Sequence, residues 1–517
     1  MAPPETVGVS QAPSVLAPVG VGTMWRAQPP PCLADLHLDD VIEAVTDASN
    51  ELQRSVWNTP CDDLTVLDFR QAVVADLLRP DLRDAVQAFV DAVSRERRTA
   101  ESSRLLAFRL PADLGRAESI ARFADEMSTA AERLAVLDPG SAGLKQLATH
   151  LVAYTVSDDF RQLAEGIDSV LAEVHGLEFE LGIQGGTVWV GPRPDRGLWV
   201  DAIRETFARF RTGTSPGPAL PQPPKRFMNR VEAHVLDLVA QLFPDPVQRL
   251  RDFVAAHQDV VPVALWQLAE ELRFYLDYLR MMRSLERAGV RFTVPHLHDD
   301  ADGPFRVTEM VDVALALGVR SSTAPLVAND LVIAPSEKVV FITGPNQGGK
   351  TTFARTVGQV AYLASLGLPV PASSATLPLL GTVLTHFPRP DDPEHDRGGL
   401  ADEMVRLRAV VDAAGPNALL ILNELFSATS AEDAVGLSAL ILDRFEALGC
   451  RVLWVTFLED LVTSVPSALS LVGQVDPDEP TRPTFRFRAQ PPVNRSHAVA
   501  LAARHGLSSA DLDLRLP

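Results

Sequence analysis

Cysteine is scarce, with only Cys32, Cys61 and Cys450 among 517 residues. They are odd in number, far apart and without a C-x-x-C pair, which excludes a disulfide framework and a cysteine-based zinc site and fits a reducing cytoplasm. Positive charge is also short. Lys and Arg number 47 against 67 Asp and Glu, for a formal net charge of −20, so bulk attraction to a phosphate backbone or an anionic membrane is excluded and any nucleic-acid contact has to be local. No uncharged apolar run reaches the about 18 residues that argue for a membrane span. The first 31 residues have no basic n-region and are broken by prolines, so they read as a disordered tail rather than a secretory signal. No fixed-period repeat occurs, which argues against a solenoid. What is present, 46% apolar and 22% charged residues, is the balance of a folded protein, and the length exceeds one ordinary core.

Residues 32–325 read as a mostly helical region, with Leu, Ala and Val at three- and four-residue spacing. Within it, "GIQGGTVWVGPRPD" (182–195) predicts a small hairpin. The Pro- and Gly-dense stretch 211–225 predicts an exposed linker. Leu265, Leu268, Leu272, Tyr275, Leu279 and Met282 form one helical stripe, explained by core packing or by a lever arm. From 326 to 517 short apolar strands alternate with amphipathic helices, the pattern of a parallel α/β sheet. Strands are predicted at 338–343, 418–423, 451–456, 470–475 and 484–489.

The chemistry concentrates in "VVFITGPNQGGKTTF" (339–353). An apolar strand runs into Gly344, Pro345, Asn346, Gln347, Gly348, Gly349, Lys350, Thr351 and Thr352, and a helix follows. This is G-x-x-x-x-G-K-S/T in the context it requires. The glycines let backbone N–H groups turn toward phosphate oxygens, and the helix N-terminus adds partial positive charge. Lys350 is then expected on the β- and γ-phosphates and Thr351 on Mg²⁺; the alternative is a glycine-rich turn that binds nothing. A second apolar strand, "ALLILNE", ends on Asn423 and Glu424. Glu424 is the candidate to orient the attacking water, or else caps the next helix. Asn423 is a metal-site candidate that offers a carbonyl oxygen without negative charge, so weaker Mg²⁺ affinity is expected.

The stretch 341–372 resembles the ATPase domain of the MutS mismatch-repair family, with its T-G-P-N-x-G-G-K-S/T loop and its helix ending in G-x-x-V-P-A. The similarity extends upstream through "VANDLVIAPSEK" (327–338) and downstream to 492–507. It implies an ABC-ATPase-like P-loop domain binding ATP and Mg²⁺, a helical core and lever before it, and a homodimeric site in which a signature loop faces the partner's nucleotide. Here "DRGGLADEM" (396–404) takes that place: Gly398, Gly399 and Leu400 stand where the family has Ser-Thr-Phe, leaving backbone N–H groups or Arg397 to make the contact. Thr429 and Ser430 match the family's Thr-Ser loop, and Ser430 with Asp433 also forms a capping box. Phe457 stands where the family has His. No counterpart of the N-terminal mismatch-reading domain or its Phe-x-Glu wedge is found, so mismatch recognition in the usual way is not expected. The resemblance thus implies a slow, DNA-linked ATPase of repair or recombination. Two rivals remain: an ATP-gated dimerisation switch with little hydrolysis, and a P-loop transferase.

Two weaker signals have competing readings. His296 and His298 beside three Asp residues have metal-ligand spacing but also suit a solvated loop. Arg95, Arg97, Arg98 and Arg104 suit a phosphate backbone or a charged helix face.

Overall fold

The computed structural model describes residues 13–21, 25–46, 50–103, 109–184, 187–192, 230–300, 303–319, 326–388, 399–427, 429–479 and 482–491. The chain divides into two units that alternate along the sequence. One holds Asp84–Leu137 and Ala148–Ala269, the other Met1–Arg83, Asp138–Leu147 and Glu270–Pro517. The Pro-rich stretch 211–225 lies outside the described residues.

The first unit is helical, as its 3.6-residue periodicity predicts. Helix Asp158–His175 illustrates the cause: the Ser157 side chain accepts from the Phe160 N–H, two Asp residues occupy the first turn, and Phe160, Leu163 and Ile167 bury one stripe. The cap contributes about 1 kcal/mol and each buried large apolar side chain roughly 1.5–3 kcal/mol. Inside this unit Arg116 pairs with Glu96, both almost fully buried. Ser119 donates to the second Glu96 oxygen at 2.6 Å and Arg116 donates to the Gln258 carbonyl at 2.9 Å, so the buried charges are satisfied. The predicted hairpin is β1 (Phe179–Gln184) antiparallel to β2 (Thr187–Pro192).

The second unit carries two sheets. Ten strands follow in chain order: β3 (His296–His298), β4 (Phe305–Met310), β5 (Asn329–Ile333), β6 (Val339–Thr343), β7 (Ser374–Pro378), β8 (Val383–His386), β9 (Leu419–Asn423), β10 (Arg451–Val455), β11 (Leu469–Val475) and β12 (Pro483–Ala489). The main sheet has the order β12-β11-β6-β10-β9-β8. Its inner strands β6, β10 and β9 are buried at every position, which is why their sequences are continuous apolar runs rather than alternating ones. Helix Lys350–Ser365 is buried throughout its last ten residues, as its nearly uncharged sequence demands.

All five strands predicted here are found, but the sheet is not purely parallel. β12 runs antiparallel to β11, because the short link between them cannot make a crossover. A smaller mixed sheet, β3-β7-β4-β5, was not predicted as such. Of its strands, only β5 falls in 327–338, the upstream stretch of the family resemblance.

The tail expected over 1–31 needs correcting where it is described. Val15 and Leu16 are fully buried. The Ser14 hydroxyl and the Val15 N–H donate to Glu271 at 2.8 and 2.7 Å. Tyr275 donates to the Val15 carbonyl and Arg70 to the Leu16 carbonyl, each at 2.9 Å. A short apolar plug whose backbone groups all find side-chain partners is held without any secondary structure of its own. The stripe from Leu265 to Met282 lies on helix Val263–Glu286 with all six residues buried, the core-packing reading.

Candidate functional site

Strand β6 ends at Thr343, and the next six residues make the turn that its sequence predicts. Gly344 has φ +134° and Gly349 φ +86°, backbone that a side chain would strain. Gln347 also lies in the left-handed region at φ +61°. The Gly348 N–H donates to the Pro345 carbonyl at 3.1 Å, closing the loop, and the helix starts at Lys350.

Lys350 is buried. Its ammonium lies 3.2 Å from the Gly344 carbonyl, 3.3 Å from that of Pro345 and 3.4 Å from Asn346 Oδ1. Glu424 Oε1 lies 3.9 Å away. Burial pulls the Lys350 pKa below the ordinary lysine value, and the Glu424 carboxylate opposes that shift. A cation folded onto neutral carbonyls, in a place that penalises its charge, is poised to take an anion.

From β9 come the other two groups. Asn423 is buried, and its Oδ1 accepts from the Thr351 hydroxyl at 3.3 Å, so the two metal-ligand candidates meet directly. Glu424 has φ +50°, its N–H donates to the Val455 carbonyl at 2.9 Å, and its side chain remains a third exposed. Ser430 is the N-cap predicted for helix Ala431–Ala447: its hydroxyl oxygen accepts from the Asp433 N–H at 3.1 Å. Gly399 begins helix Gly399–Ala413. Arg397 and Gly398 lie outside the described residues, as does 492–507. Phe457 follows β10 and is 54% exposed.

A cavity of about 670 Å³ opens above this turn. Its polar wall is formed by residues 346–353, Thr356 and Glu424. The same cavity is lined by the apolar Met310, Leu315, Leu326, Val327, Phe485 and Phe487, none of which the sequence marks as a site residue. Phe485 sits against Gly349, where an added Cβ would come within 3.2 Å of its ring. The Phe487 ring lies 4.6 Å from that of Phe353. Phe485 has φ +59°, and Asn329 holds it there. The Asn329 amide donates to the Phe485 carbonyl at 3.0 Å, and its oxygen accepts from the Phe487 N–H at 2.9 Å. The one local signal for this wall was the alternating T-F-R-F segment.

The weaker candidates resolve toward structure. His298 has Nδ1 3.1 Å from the Asp300 carbonyl oxygen and Nε2 3.2 Å from that of Pro304. Among the described residues no group of three or more His, Cys, Asp or Glu is placed to hold a metal. Arg95 pairs with Glu126, and Arg97 lies 4.1 Å over the Trp266 ring and 3.6 Å from Glu101. Arg98 donates to the Ser94 carbonyl at 3.3 Å; Arg104 lies outside the described residues. Among the described residues no helix is long and apolar enough to cross a membrane.

Comparison with known proteins points the same way as this turn. A family model described as MutS domain V matches residues 340–482. The DNA mismatch repair protein MutS of Granulibacter bethesdensis (strain ATCC BAA-1260 / CGDNIH1) is 27% identical over 216 residues, 42% of this chain and 22% of that protein. That of Streptococcus pneumoniae (strain Hungary19A-6) is 28% identical over 223 residues, 42% of this chain and 26% of that protein. The DNA mismatch repair protein HexA of S. pneumoniae serotype 4 (strain ATCC BAA-334 / TIGR4) matches to the same extent. The matched region is thus about a quarter of the length of these curated relatives.

Proposed function

We propose that the chain, whose residues 340–482 match the MutS domain V model, is a MutS-related protein and a slow P-loop ATPase. It binds ATP with Mg²⁺, hydrolyses the nucleotide in a composite site of a homodimer, and couples that cycle to DNA binding in repair or recombination. The observation that carries the reading is that Lys350, Thr351 and Glu424 line one nucleotide-sized cavity, with Asn423 bonded to Thr351 behind them.

Each residue has a role that follows from its chemistry. The loop from Asn346 to Thr352 turns backbone N–H groups and the helix N-terminus toward the phosphates. The Lys350 ammonium leaves its carbonyl partners for the β- and γ-phosphate oxygens, recovering the solvation that burial removed. The Thr351 hydroxyl and the Asn423 carbonyl oxygen would hold the metal, which when bound would supply neutralisation of phosphate charge. Both are neutral oxygens, so they suit Mg²⁺ but bind it more weakly than a pair containing a carboxylate. Glu424 orients the attacking water and accepts its proton. Across the dimer, Arg397, Gly398 and Gly399 face the partner's nucleotide. The apolar wall, with Phe485 and Phe487, receives the base.

Steady-state phosphate release, measured with Mg²⁺ and with duplex, mismatched or branched DNA, tests this reading. Slow release that depends on Lys350 and Glu424 supports the ATPase, and absence of binding or stimulation by every DNA removes the DNA half. A second reading, an ATP-gated dimerisation switch, is favoured by Asn423 and the exposed Phe457. It predicts ATP-dependent dimers without phosphate release. Phosphate moving to an added acceptor instead of water would mark the transferase.

A further inference from the structure

Glu424 does not hold its own position. It and Phe426, two residues on, both have left-handed backbone, at φ +50° and +61°, a conformation that non-glycine residues keep only when their surroundings impose it. On one side the Glu424 N–H is held by the Val455 carbonyl at 2.9 Å. On the other, the Phe426 N–H donates to Glu403 Oε1 at 3.0 Å. Glu403 is buried. It lies on helix Gly399–Ala413, which packs Leu407 and Met404 into the cluster that contains Leu425 and Phe426. A buried side-chain oxygen that accepts from this backbone N–H ties the helix directly to the turn after β9.

We propose that Glu403 is a positioning residue for Glu424. By fixing the Phe426 N–H it keeps the turn after β9 left-handed and the Glu424 side chain in the cavity wall beside Lys350. It also makes helix Gly399–Ala413 an input to turnover. A shift at the start of that helix reaches Glu424 through a single hydrogen bond, without any change in the P-loop. Glu403 is buried and does not line the cavity, so its loss acts on turnover and leaves nucleotide affinity unchanged. The inference rests on the reading of Glu424 as the group that orients water.

The test is a double-mutant cycle on the full chain, reading phosphate release and, separately, affinity for a fluorescent ATP analogue. Glu403→Ala is expected to lower kcat by about tenfold to a hundredfold, the scale of a small misplacement of a catalytic group, with nucleotide affinity unchanged. In a Glu424→Ala background the same change is expected to cost nothing further, because its target is gone. Glu403→Gln keeps an acceptor oxygen and should stay within about threefold of the wild-type rate. Glu403→Asp withdraws the carboxylate by one methylene and should lose turnover as Ala does. This Gln and Asp contrast carries the test if the Ala variant does not fold. An equal fold-loss in both backgrounds, or a Glu403→Ala or Glu403→Asp variant at the wild-type rate while Glu424→Ala is impaired, overturns this inference alone. A wild-type chain that releases no phosphate, or a Glu424→Ala variant at full rate, overturns the reading of Glu424 and this inference with it.

Discussion

The polar and the apolar walls of the cavity are built in opposite ways. In the polar wall the donors come from one unbroken stretch, residues 344–352, joined by Asn423 and Glu424 from the end of β9, two strands away in the sheet. In the apolar wall Met310 comes from β4, Leu326 from the loop before β5, and Phe485 and Phe487 from β12. Phosphate binding needs consecutive backbone N–H groups, which only a contiguous loop supplies. An apolar wall needs only area, which any set of elements brought together provides. The polar wall is therefore specific and intolerant of change, and the apolar wall adaptable.

The largest effect expected from breaking this comparison is at Lys350. Lys350→Ala should abolish measurable nucleotide binding by isothermal titration, a loss of at least about a hundredfold for a buried charge that pairs with phosphate. The pH dependence follows from the same residue. Because burial lowers its pKa, the folded chain binds this proton less tightly than the unfolded chain. Between the lowered pKa and 10.5 the unfolded state holds more protons, so apo stability gains from Lys350 as pH rises, while nucleotide affinity, which needs the charged form, falls. Affinity measured at increasing alkaline pH should decline before an ordinary lysine titrates.

Glu424→Ala should come next, lowering phosphate release by about a hundredfold or more while ATP stays bound, as general-base losses do. In the opposite direction, Asn423→Asp should tighten Mg²⁺ binding by roughly tenfold, since it restores a negative charge beside Thr351. An unchanged Mg²⁺ titration would show that Asn423 is not at the metal.

At the apolar wall the effects should be smaller. Asn329→Ala removes both bonds that hold the Phe485 and Phe487 backbone, and should weaken ATP binding by about threefold to tenfold, on the order of one or two lost hydrogen bonds. Loss as severe as that of Lys350→Ala would mean that the turn, which Phe485 touches at Gly349, depends on this wall. Smallest of all, Cys32 should resist alkylation at neutral pH. Burial pushes its pKa up to about 12, so thiolate is scarce.

How much was legible from the sequence follows the same division. The inner strands β6, β9 and β10 and the turn between Gly344 and Lys350 were readable because their signals are local: an apolar run, a glycine spacing, a helix behind. The reversed edge strand β12 and the small sheet were not, since strand direction depends on a link's length and short mixed strands carry little period. The segment around Val15 was misread because prolines hide an apolar plug whose partner, Glu271, lies 256 positions away. Arg95 and Arg97 suit a phosphate backbone or a charged helix face in sequence, and only the fold brings them their partners Glu126 and Trp266.

By itself, then, the sequence determined that this chain has a phosphate-binding turn with its lysine and hydroxyl, and an acidic strand end beside an uncharged amide. Consecutive residues make those features, and no fold is needed to bring them together. Only the tertiary structure decided that Asn423 meets Thr351, that Asn329 pins a strained Phe485 from 156 positions away, and that Glu403 holds the turn beyond Glu424. Those contacts join side chains to backbone groups across long separations, where no periodicity records them, and only the closing of the sheet selects which of the many available partners is met.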